Sequence, residues 1–205
     1  MRLHGAAIAT SIAEYFRDTG RHVLLLMDSL TRYAQAQREI ALTIGEPPAT
    51  RGFPPSVFAR LPQLVERAGT GLAGQGSITA IYTVLTEADD PNDPIAEAAH
   101  AILDGHIVLS QRLVERGIYI AIDIEASISR TMPQITGEFH QKYVKALRHF
   151  HSLYEQNADL FSVGAYQRGS SLELDTTVDM RPVIMEFISQ DMRVAVDYDA
   201  AETAS

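Results

Sequence analysis

The feature that most constrains the fold is a pair of short apolar runs, HVLLLM at residues 22–27 and SITAIYTVL at 77–85. Both are nearly continuously apolar, which predicts strands covered on both faces of a parallel sheet rather than strands with one solvated face. Acidic residues follow each run, first Asp28 and then the acids from Glu87 onward. Because ligands of parallel α/β sheets sit at the carboxyl ends of the strands, these acids mark the first region to test for a functional site.

Helical patterns separate the strands, which is the order expected of right-handed βαβ units. They are predicted over about 7–16, 30–44, 56–69, 94–104 and 110–116, with further strands near 106–110 and at 118–122. From Pro133 onward the character changes, because 138–156 form a long amphipathic helix and 172–190 another helical stretch, interrupted at Pro182. The sequence therefore predicts an α/β domain, a parallel sheet with flanking helices, followed by an α-helical region.

Composition narrows the function classes. The 205 residues carry a formal net charge of −9 with lysine only at 142 and 145, so we expect no nucleic-acid partner. No apolar run approaches the roughly 18 residues that a membrane-spanning helix needs, and residues 1–16 lack a signal-peptide layout, so we expect a cytoplasmic protein. The absence of cysteine excludes disulfides and thiolate metal sites.

Asp28 directly follows the first apolar run, and two roles suit it on this pattern. Four apolar residues and then aspartate is the Walker B pattern, in which the carboxylate holds a magnesium ion opposite the nucleotide phosphates. Alternatively, Asp28 caps the following helix by accepting hydrogen bonds from the amides of Leu30 or Thr31. The pattern alone leaves both interpretations open.

Longer blocks carry a more specific signal. They are LLLMDSLTRYAQAQREIALTIGEPPATRGFPPSVFARLPQLVERAG, GSITAIYTVLTEADDPNDPIAEAAHAILDGHIVLSQRL, YIAIDIEASISR and SVGAYQRGSSLELD. Together they closely resemble the flagellar export ATPases of the FliI type and the type III secretion ATPases, and more distantly the catalytic subunits of rotary ATP synthases. The resemblance implies a partial RecA-like P-loop ATPase domain over residues 1–135, followed by an α-helical C-terminal domain over 136–205.

The resemblance also implies roles in ATP hydrolysis. Asp28 matches the Walker B aspartate that holds Mg²⁺, and Arg32 resembles an arginine that faces the phosphates; a surface ion pair is the alternative for Arg32. Arg130 in EASISR matches the arginine that reaches into a neighbouring subunit's site. There a permanent guanidinium charge stabilises the transferring phosphoryl group. An interdomain salt bridge is the alternative for Arg130.

Two tyrosines are implied to contact the adenine of ATP. Tyr119 lies eleven residues before Arg130, where relatives stack an aromatic ring on the base. Ile120 follows it at a position where relatives often carry proline, and a core tyrosine is the alternative. Tyr198, after the last predicted helix, is the candidate for a second aromatic that closes over the base.

The P-loop of these ATPases, G-x-x-x-x-G-K-[ST], is absent from this chain. The glycine-rich GTGLAGQGS contains no lysine, and neither Lys142 nor Lys145 directly follows a glycine. The family's catalytic glutamate is likewise expected before residue 1. We therefore expect the chain to match the C-terminal half of the family pattern and, alone, not to hydrolyse ATP.

Partners are implied by the same resemblance. Family members form homohexamers, contact a central-stalk coiled-coil protein through the helical domain, and receive export substrates and chaperones at a membrane export apparatus. The chain would then lie in the cytoplasm, peripheral to the inner membrane and not inserted. The alternative is a non-catalytic module that regulates the hexamer through its stalk-facing helices and Arg130.

The other candidate metal ligands have structural explanations at this level. Turn chemistry explains the acids in and before DDPNDP, which are Glu87, Asp89, Asp90 and Asp93. A solvated helix face explains the histidines of the long helix, which are His140, His149 and His151.

Two further expectations concern surfaces. The prolines of GEPPATRGFPP resemble the family's loop at the subunit interface, a purely structural crossover being the alternative, and Ser56 is the predicted N-cap of the next helix. A RecA-like sheet without its first strands leaves an open edge and an uncovered apolar face, both of which favour pairing with other chains.

Overall fold

The computed structural model describes residues 2–86, 90, 92–191, 193–199 and 201. The chain forms two compact units, Met1–Leu103 and Asp104–Ser205. The first unit contains α1 (Arg2–Asp18), β1 (His22–Met27), α2 (Leu30–Thr43), α3 (Pro55–Val65), β2 (Gly69–Thr70), β3 (Ser77–Tyr82) and α4 (Pro94–Ile102). The second contains β4 (Gly105–Leu109), α5 (Gln111–Glu115), β5 (Ile122–Ser129), α6 (Met132–Ile135), α7 (Glu138–Gln156), α8 (Ala158–Ser162) and α9 (Leu172–Ile188).

The sheet of the first unit is mixed, in the order β1-β3-β2. β1 and β3 are parallel and in register from His22 opposite Ser77 to Met27 opposite Tyr82, whereas β2 runs antiparallel to β3. The predicted α/β class and the following helical region are confirmed. Among the strands that the structure describes, however, the parallel arrangement holds only for β1 and β3.

Local chemistry fixes where these elements begin and end. Gly20 takes φ +87°, which lets the chain leave α1 and enter β1 at once. α3 begins at Pro55, whose fixed φ suits the first turn, with Pro54 at the N-cap position. Ser56 is therefore not the N-cap that we predicted; its backbone amide donates to Glu46 Oε1 at 2.8 Å.

The core of the first unit is apolar. Its fully buried centre joins α2, α3 and α4 through Leu30, Val57, Leu61 and Ile95. A second buried cluster attaches α1 to the sheet through Ala13, Leu25 and Ile78.

The second unit does not continue a parallel sheet. β4 and β5 pair antiparallel in a separate two-stranded sheet. The segment between them holds only the five-residue α5 and a turn at Gly117 with φ +74°, which is too little for a crossover helix. The predicted strand at 118–122 is wrong, because β5 starts only at Ile122 and runs to Ser129.

The helical region agrees more closely with the sequence pattern. α7 covers Glu138–Gln156 as predicted, and α9 ends at Ile188 with Pro182 inside it. α7 and α9 pack against each other. The predicted boundary after residue 135 separates two family domains, whereas the division after Leu103 separates two compact units. The domain boundary stays a prediction.

None of the helices in the described part of the chain is both long and apolar enough to cross a membrane.

Candidate functional site

Asp28 lies at the carboxyl edge of the parallel strand pair. It follows β1 directly, and its side chain is exposed. Thr83, the residue after β3, donates from its Oγ1 to Asp28 Oδ1 at 2.7 Å. Two adjacent parallel strands therefore deliver one carboxylate and one hydroxyl to the edge where α/β sheets bind ligands.

Helix capping is not the role of Asp28. The N-cap of α2 is Ser29, whose Oγ accepts from the amide of Arg32 at 3.2 Å. The amide of Leu30 donates instead to the carbonyl of Thr83 at 2.9 Å. The structure thus decides against one of the two interpretations of Asp28 that the sequence left open.

Arg32 shares this edge. It lies in the first turn of α2, four residues after Asp28, and its side chain is exposed. An exposed guanidinium four residues after an exposed carboxylate that follows a strand suits a ligand that carries both a metal ion and anionic oxygens.

The donor set fits Mg²⁺ shared with a phosphate ligand rather than a metal held by protein alone. Mg²⁺ keeps several waters and commonly binds through one or two carboxylates together with substrate phosphates. Across the described residues, no three histidine, aspartate or glutamate side chains converge as a cage. Asp28 is the residue that would hold the ion, which would supply positive charge to the phosphates.

The second unit holds the remaining candidates. Tyr119 lies in the irregular segment before β5 with half of its surface exposed (50%), and the peptide bond that joins it to Ile120 is cis. Its carbonyl accepts from the amide of Gln190 at 2.9 Å, which ties this segment to the residues after α9. Because Tyr119 is 50% exposed, it is not a core residue, which was the alternative to a role in stacking.

Tyr198 and Arg130 are also exposed. Tyr198 is 76% exposed in the segment beyond α9. Arg130 directly follows β5, and its amide donates to the carbonyl of Asp104 at 2.8 Å, just before β4. Asp28 and Arg32 thus belong to the first unit, and Arg130, Tyr119 and Tyr198 belong to the second.

The turn interpretation of the acids is confirmed where the structure describes them. Asp93 caps α4 by accepting from the amides of Ile95 and Ala96, both at 2.9 Å. Asp90 pairs with Arg51 and accepts from the amide of Asn92 at 3.0 Å. Glu87 and Asp89 lie outside the described residues.

One histidine is wrongly assigned to a solvated face. His151 is only 8% exposed, because it lies on the side of α7 that packs against α9. Arg181 of α9 donates to its Nδ1 at 3.2 Å and to Glu155 Oε1 at 2.9 Å. Arg116 reaches the other oxygen of Glu155 at 3.1 Å. We call His151, Glu155, Arg181 and Arg116 the polar cluster of the second unit.

Sequence reasoning missed both this cluster and Thr83. Thr83 is 55 residues from Asp28 along the chain, and Arg181 is 30 from His151. No local pattern reports such a pair. The available signals were a threonine just after an apolar strand and an arginine within a largely apolar helix.

Comparison with known proteins identifies the family to which the chain belongs. The nucleotide-binding domain of the ATP synthase alpha/beta family matches residues 1–129, and the type III secretion EscN ATPase C-terminal domain matches 136–204. The chain belongs to the export-ATPase branch of the ATP synthase alpha/beta family.

Relatives of this chain resemble it in both sequence and structure. The flagellum-specific ATP synthase of Salmonella typhimurium is 60% identical over 97% of this chain and 44% of its own length. The assembled ATPase EscN of the enteropathogenic E. coli type III secretion system superposes with a TM-score of 0.92 at 45% identity, covering 97% of this chain and 48% of EscN. EscN in complex with its central stalk EscO gives 0.87 at 42% identity, covering 99% and 48%.

The chain therefore spans less than half the length of these relatives. The export-ATPase family resemblance of the sequence is confirmed. The roles of individual residues stay predictions.

Proposed function

We propose that this chain is the C-terminal part of an ATPase that couples ATP hydrolysis to flagellar or type III protein export. The observation that carries the proposal is Asp28, exposed at the carboxyl end of β1 and bonded to Thr83 at the end of the adjacent parallel strand. A helix cap would explain this carboxylate without function, but Ser29 occupies the cap.

The proposed division of labour follows from the chemistry of each side chain. Asp28 holds Mg²⁺, and Arg32 faces the phosphates. Arg130 serves the site of a neighbouring copy, where a fixed positive charge stabilises the transferring phosphoryl group by about 10³- to 10⁵-fold in rate. Tyr119 and Tyr198 present exposed rings on which adenine stacks.

Assembly is part of the proposal. The structure of EscN is that of an assembled ATPase, and EscN also forms a complex with its central stalk EscO. We propose a homohexamer for the protein to which this chain belongs, with the α7–α9 region contacting a coiled-coil stalk. It would work in the cytoplasm, against the export apparatus of the inner membrane.

A chimera tests these roles. This chain replaces the matching part of the Salmonella relative, and Mg²⁺-dependent ATP hydrolysis is measured. Asp28→Asn and Arg130→Ala should each lower kcat by about 10²-fold or more, because each removes a charge that opposes the phosphates. Asp159→Asn and Arg112→Ala remove the same charges from other exposed positions and should leave kcat within about twofold.

Equal losses in the test and control variants, or no loss at Asp28, would contradict the assignment. The chain by itself should show no hydrolysis, because it lacks the P-loop lysine and its amide cradle. Magnesium-dependent turnover by the purified chain that Asp28→Ala abolishes would overturn that part.

A second candidate function is a non-catalytic module of the hexamer, which would act through the exposed Arg130 after β5 and through the α7–α9 region. In that case the purified chain, added to an intact export ATPase, changes its rate of hydrolysis, and Arg130→Ala removes the change. An unchanged rate at saturating chain would leave the first proposal standing alone.

A further inference from the structure

Thr83 contacts the proposed metal-holding residue, Asp28, but has no part in the division of labour proposed above. Its Oγ1 lies 2.7 Å from Asp28 Oδ1. An ionised carboxylate can only accept hydrogen bonds, so the hydroxyl is the donor, and a hydroxyl has a single hydrogen to give. That hydrogen is therefore committed to Asp28. Hydrogen bonds to a charged acceptor are also shorter and stronger than those between neutral groups.

The backbone of Thr83 is held against the turn that carries Asp28. Its amide donates to the carbonyl of Met27 at 3.1 Å, and its carbonyl accepts from the amide of Leu30 at 2.9 Å. These two bonds lie on either side of Asp28 along the chain. Because the backbone is already fixed there, only the side-chain torsions of the stiff, β-branched threonine remain to be ordered for its hydroxyl to reach the carboxylate.

A second threonine ties the same two segments together without touching the carboxylate. Thr31, in the first turn of α2, accepts at its Oγ1 from the amide of Leu85 at 2.8 Å and donates to the carbonyl of Leu85 at 3.2 Å. Thr31 thus bonds the backbone of the segment after β3, whereas Thr83 bonds the side chain of Asp28. The two threonines offer a matched comparison.

Asp28 needs an orienting partner if it is to hold a metal ion. Its side chain is exposed, and an exposed side chain changes rotamer freely unless a contact restrains it. The bond from Thr83 engages one carboxylate oxygen, and a carboxylate has a second to offer to an ion or to a water bound to it. Residues that orient a metal ligand in this way commonly contribute about 10- to 100-fold to metal affinity or activity.

A purely structural tie is the alternative role for Thr83. Its hydroxyl would then serve only to hold the end of β3 against the β1–α2 turn. Four other hydrogen bonds, made by the backbone of Thr83 and by Thr31, already join these segments, and none of them uses the Thr83 hydroxyl. Thr83 is exposed, so water would satisfy its hydroxyl equally well. The tie therefore does not require the bond to Asp28.

We propose that Thr83 is a positioning residue, whose hydroxyl holds the Asp28 carboxylate in the orientation in which it accepts a divalent cation shared with nucleotide phosphates. This inference rests on the proposed function, which assigns the cation to Asp28. It goes further, because it makes cation binding depend on a hydroxyl from a second strand that acts through Asp28.

The first test measures the side-chain conformation of Asp28 in the purified chain without ligand. Nuclear magnetic resonance couplings report whether χ1 of Asp28 occupies one rotamer or averages over several. Thr83→Val keeps the shape of the side chain without its hydroxyl, and should replace one rotamer by an average. Thr83→Ser keeps the hydroxyl and should keep the single rotamer. Thr31→Val is the matched control, because it breaks two hydrogen bonds of the same contact and should leave χ1 of Asp28 as in the wild type.

The second test uses the chimera of this chain with the Salmonella relative, and measures how strongly Mn²⁺ tightens the binding of a non-hydrolysable ATP analogue. The readout is the ratio of the Kd without Mn²⁺ to the Kd with it, which needs no turnover. Thr83→Val should lower this ratio about tenfold or more. Thr83→Ser and Thr31→Val should leave it within about threefold. Asp28→Asn should lower it at least as far as Thr83→Val does, because it removes the carboxylate charge itself.

Three results would overturn the proposal. They are a single Asp28 rotamer that survives in Thr83→Val, equal averaging in Thr83→Val and Thr31→Val, and a Mn²⁺ ratio that Thr83→Val leaves unchanged. Circular dichroism and melting check that each variant is folded. A ratio that Asp28→Asn leaves unchanged would reject the proposed function, whereas a ratio lowered by Asp28→Asn but not by Thr83→Val would reject this inference alone.

Discussion

The two compact units differ in what fills their interiors. The first is centred on aliphatic side chains with essentially no exposed surface, among them Leu30, Val57 and Ile95 at 0%. The second holds its helices α7 and α9 together around His151, Glu155 and Arg181. Among the described residues of the second unit, the buried apolar side chains are Ile118, Ala121 and Ile184, which are 4–8% exposed.

This difference predicts which kind of substitution destabilises each unit. Apolar burial is non-directional and does not depend on ionisation, so the first unit should lose stability mainly through lost volume. A cluster of charged hydrogen bonds depends on every member keeping its partner and its protonation state. The second unit should therefore lose stability when a substitution or a change of pH alters the charge of a cluster residue, even if the size of the side chain is unchanged.

The largest effect should come from Leu61→Ala in the first unit. Leu61 is 1% exposed, and removing its side chain should lower the free energy of unfolding by about 2–5 kcal/mol, through lost burial and the cavity left behind. Urea denaturation followed by hydrogen exchange measures the loss and locates it. Leu72→Ala, at 79% exposure, should change stability by less than about 0.5 kcal/mol. Equal loss of protection in both units would contradict the assignment of the loss to the first unit.

Glu155→Gln should come next, with a loss of about 2–3 kcal/mol confined to the second unit. The substitution leaves Arg181 and Arg116 without their carboxylate; the side chains of Arg181 and Glu155 are 12% and 15% exposed, so water compensates only in part.

Glu173→Gln is the control for Glu155→Gln, because its pair with His149 is exposed at 61% and 54%. It should cost about 0–1 kcal/mol. If denaturation gave the two variants the same stability, the polar cluster would not be what holds α7 to α9.

The pH dependence should separate the units further. The pKa of His151 is lowered, because burial disfavours the imidazolium and Arg181 adds a positive charge; the carboxylates of Glu155, Glu125 and Asp123 act in the opposite direction without reversing it. The unfolded chain therefore binds a proton at His151 more readily than the folded one. Stability from this group is present above the ordinary histidine pKa of about 6.5 and is lost as the pH falls through and below that value.

Thermal melts between pH 7.5 and 5 should show this loss, with a slope of at most about 1.4 kcal/mol per pH unit. His151→Gln, whose amide can still accept from Arg181, should flatten the slope, whereas His149→Gln should keep it. The pKa of Glu155 is also lowered: burial alone would raise it, but the hydrogen bond and charge of Arg116, with the charge of Arg181, outweigh burial. Its stabilisation is lost only at lower pH, below about 4.3. A slope that survives in His151→Gln would assign the effect elsewhere.

The smallest effect on stability should come from the N-cap of α4 in the first unit. Asp93→Ala removes the cap of α4 and should cost about 1 kcal/mol, because the amides of Ile95 and Ala96 lose their acceptor. Asp93→Ser keeps an acceptor and should recover most of it. Denaturation midpoints that do not distinguish the two variants would show that the cap is unimportant here.

Parts of the fold and of the site follow from local pattern. β1 at 22–27 and α7 at 138–156 agree closely with the predicted bounds, because an apolar strand run and helical amphipathicity are set by neighbouring residues. Asp28 could be singled out because it directly follows an apolar strand. The antiparallel β4–β5 pair could not, because a strand pattern does not report the direction of its partner.

The sequence by itself determined the family, the strand that precedes Asp28 and the absence of a P-loop from this chain. Only the tertiary structure decided that Ser29 rather than Asp28 caps α2, that Thr83 bonds the carboxylate, and that His151 is buried. It also decided that one face of HVLLLM is covered and the other bare. Each of these depends on which distant segment packs against a residue, and such contacts leave no trace in the residue's own neighbourhood along the chain.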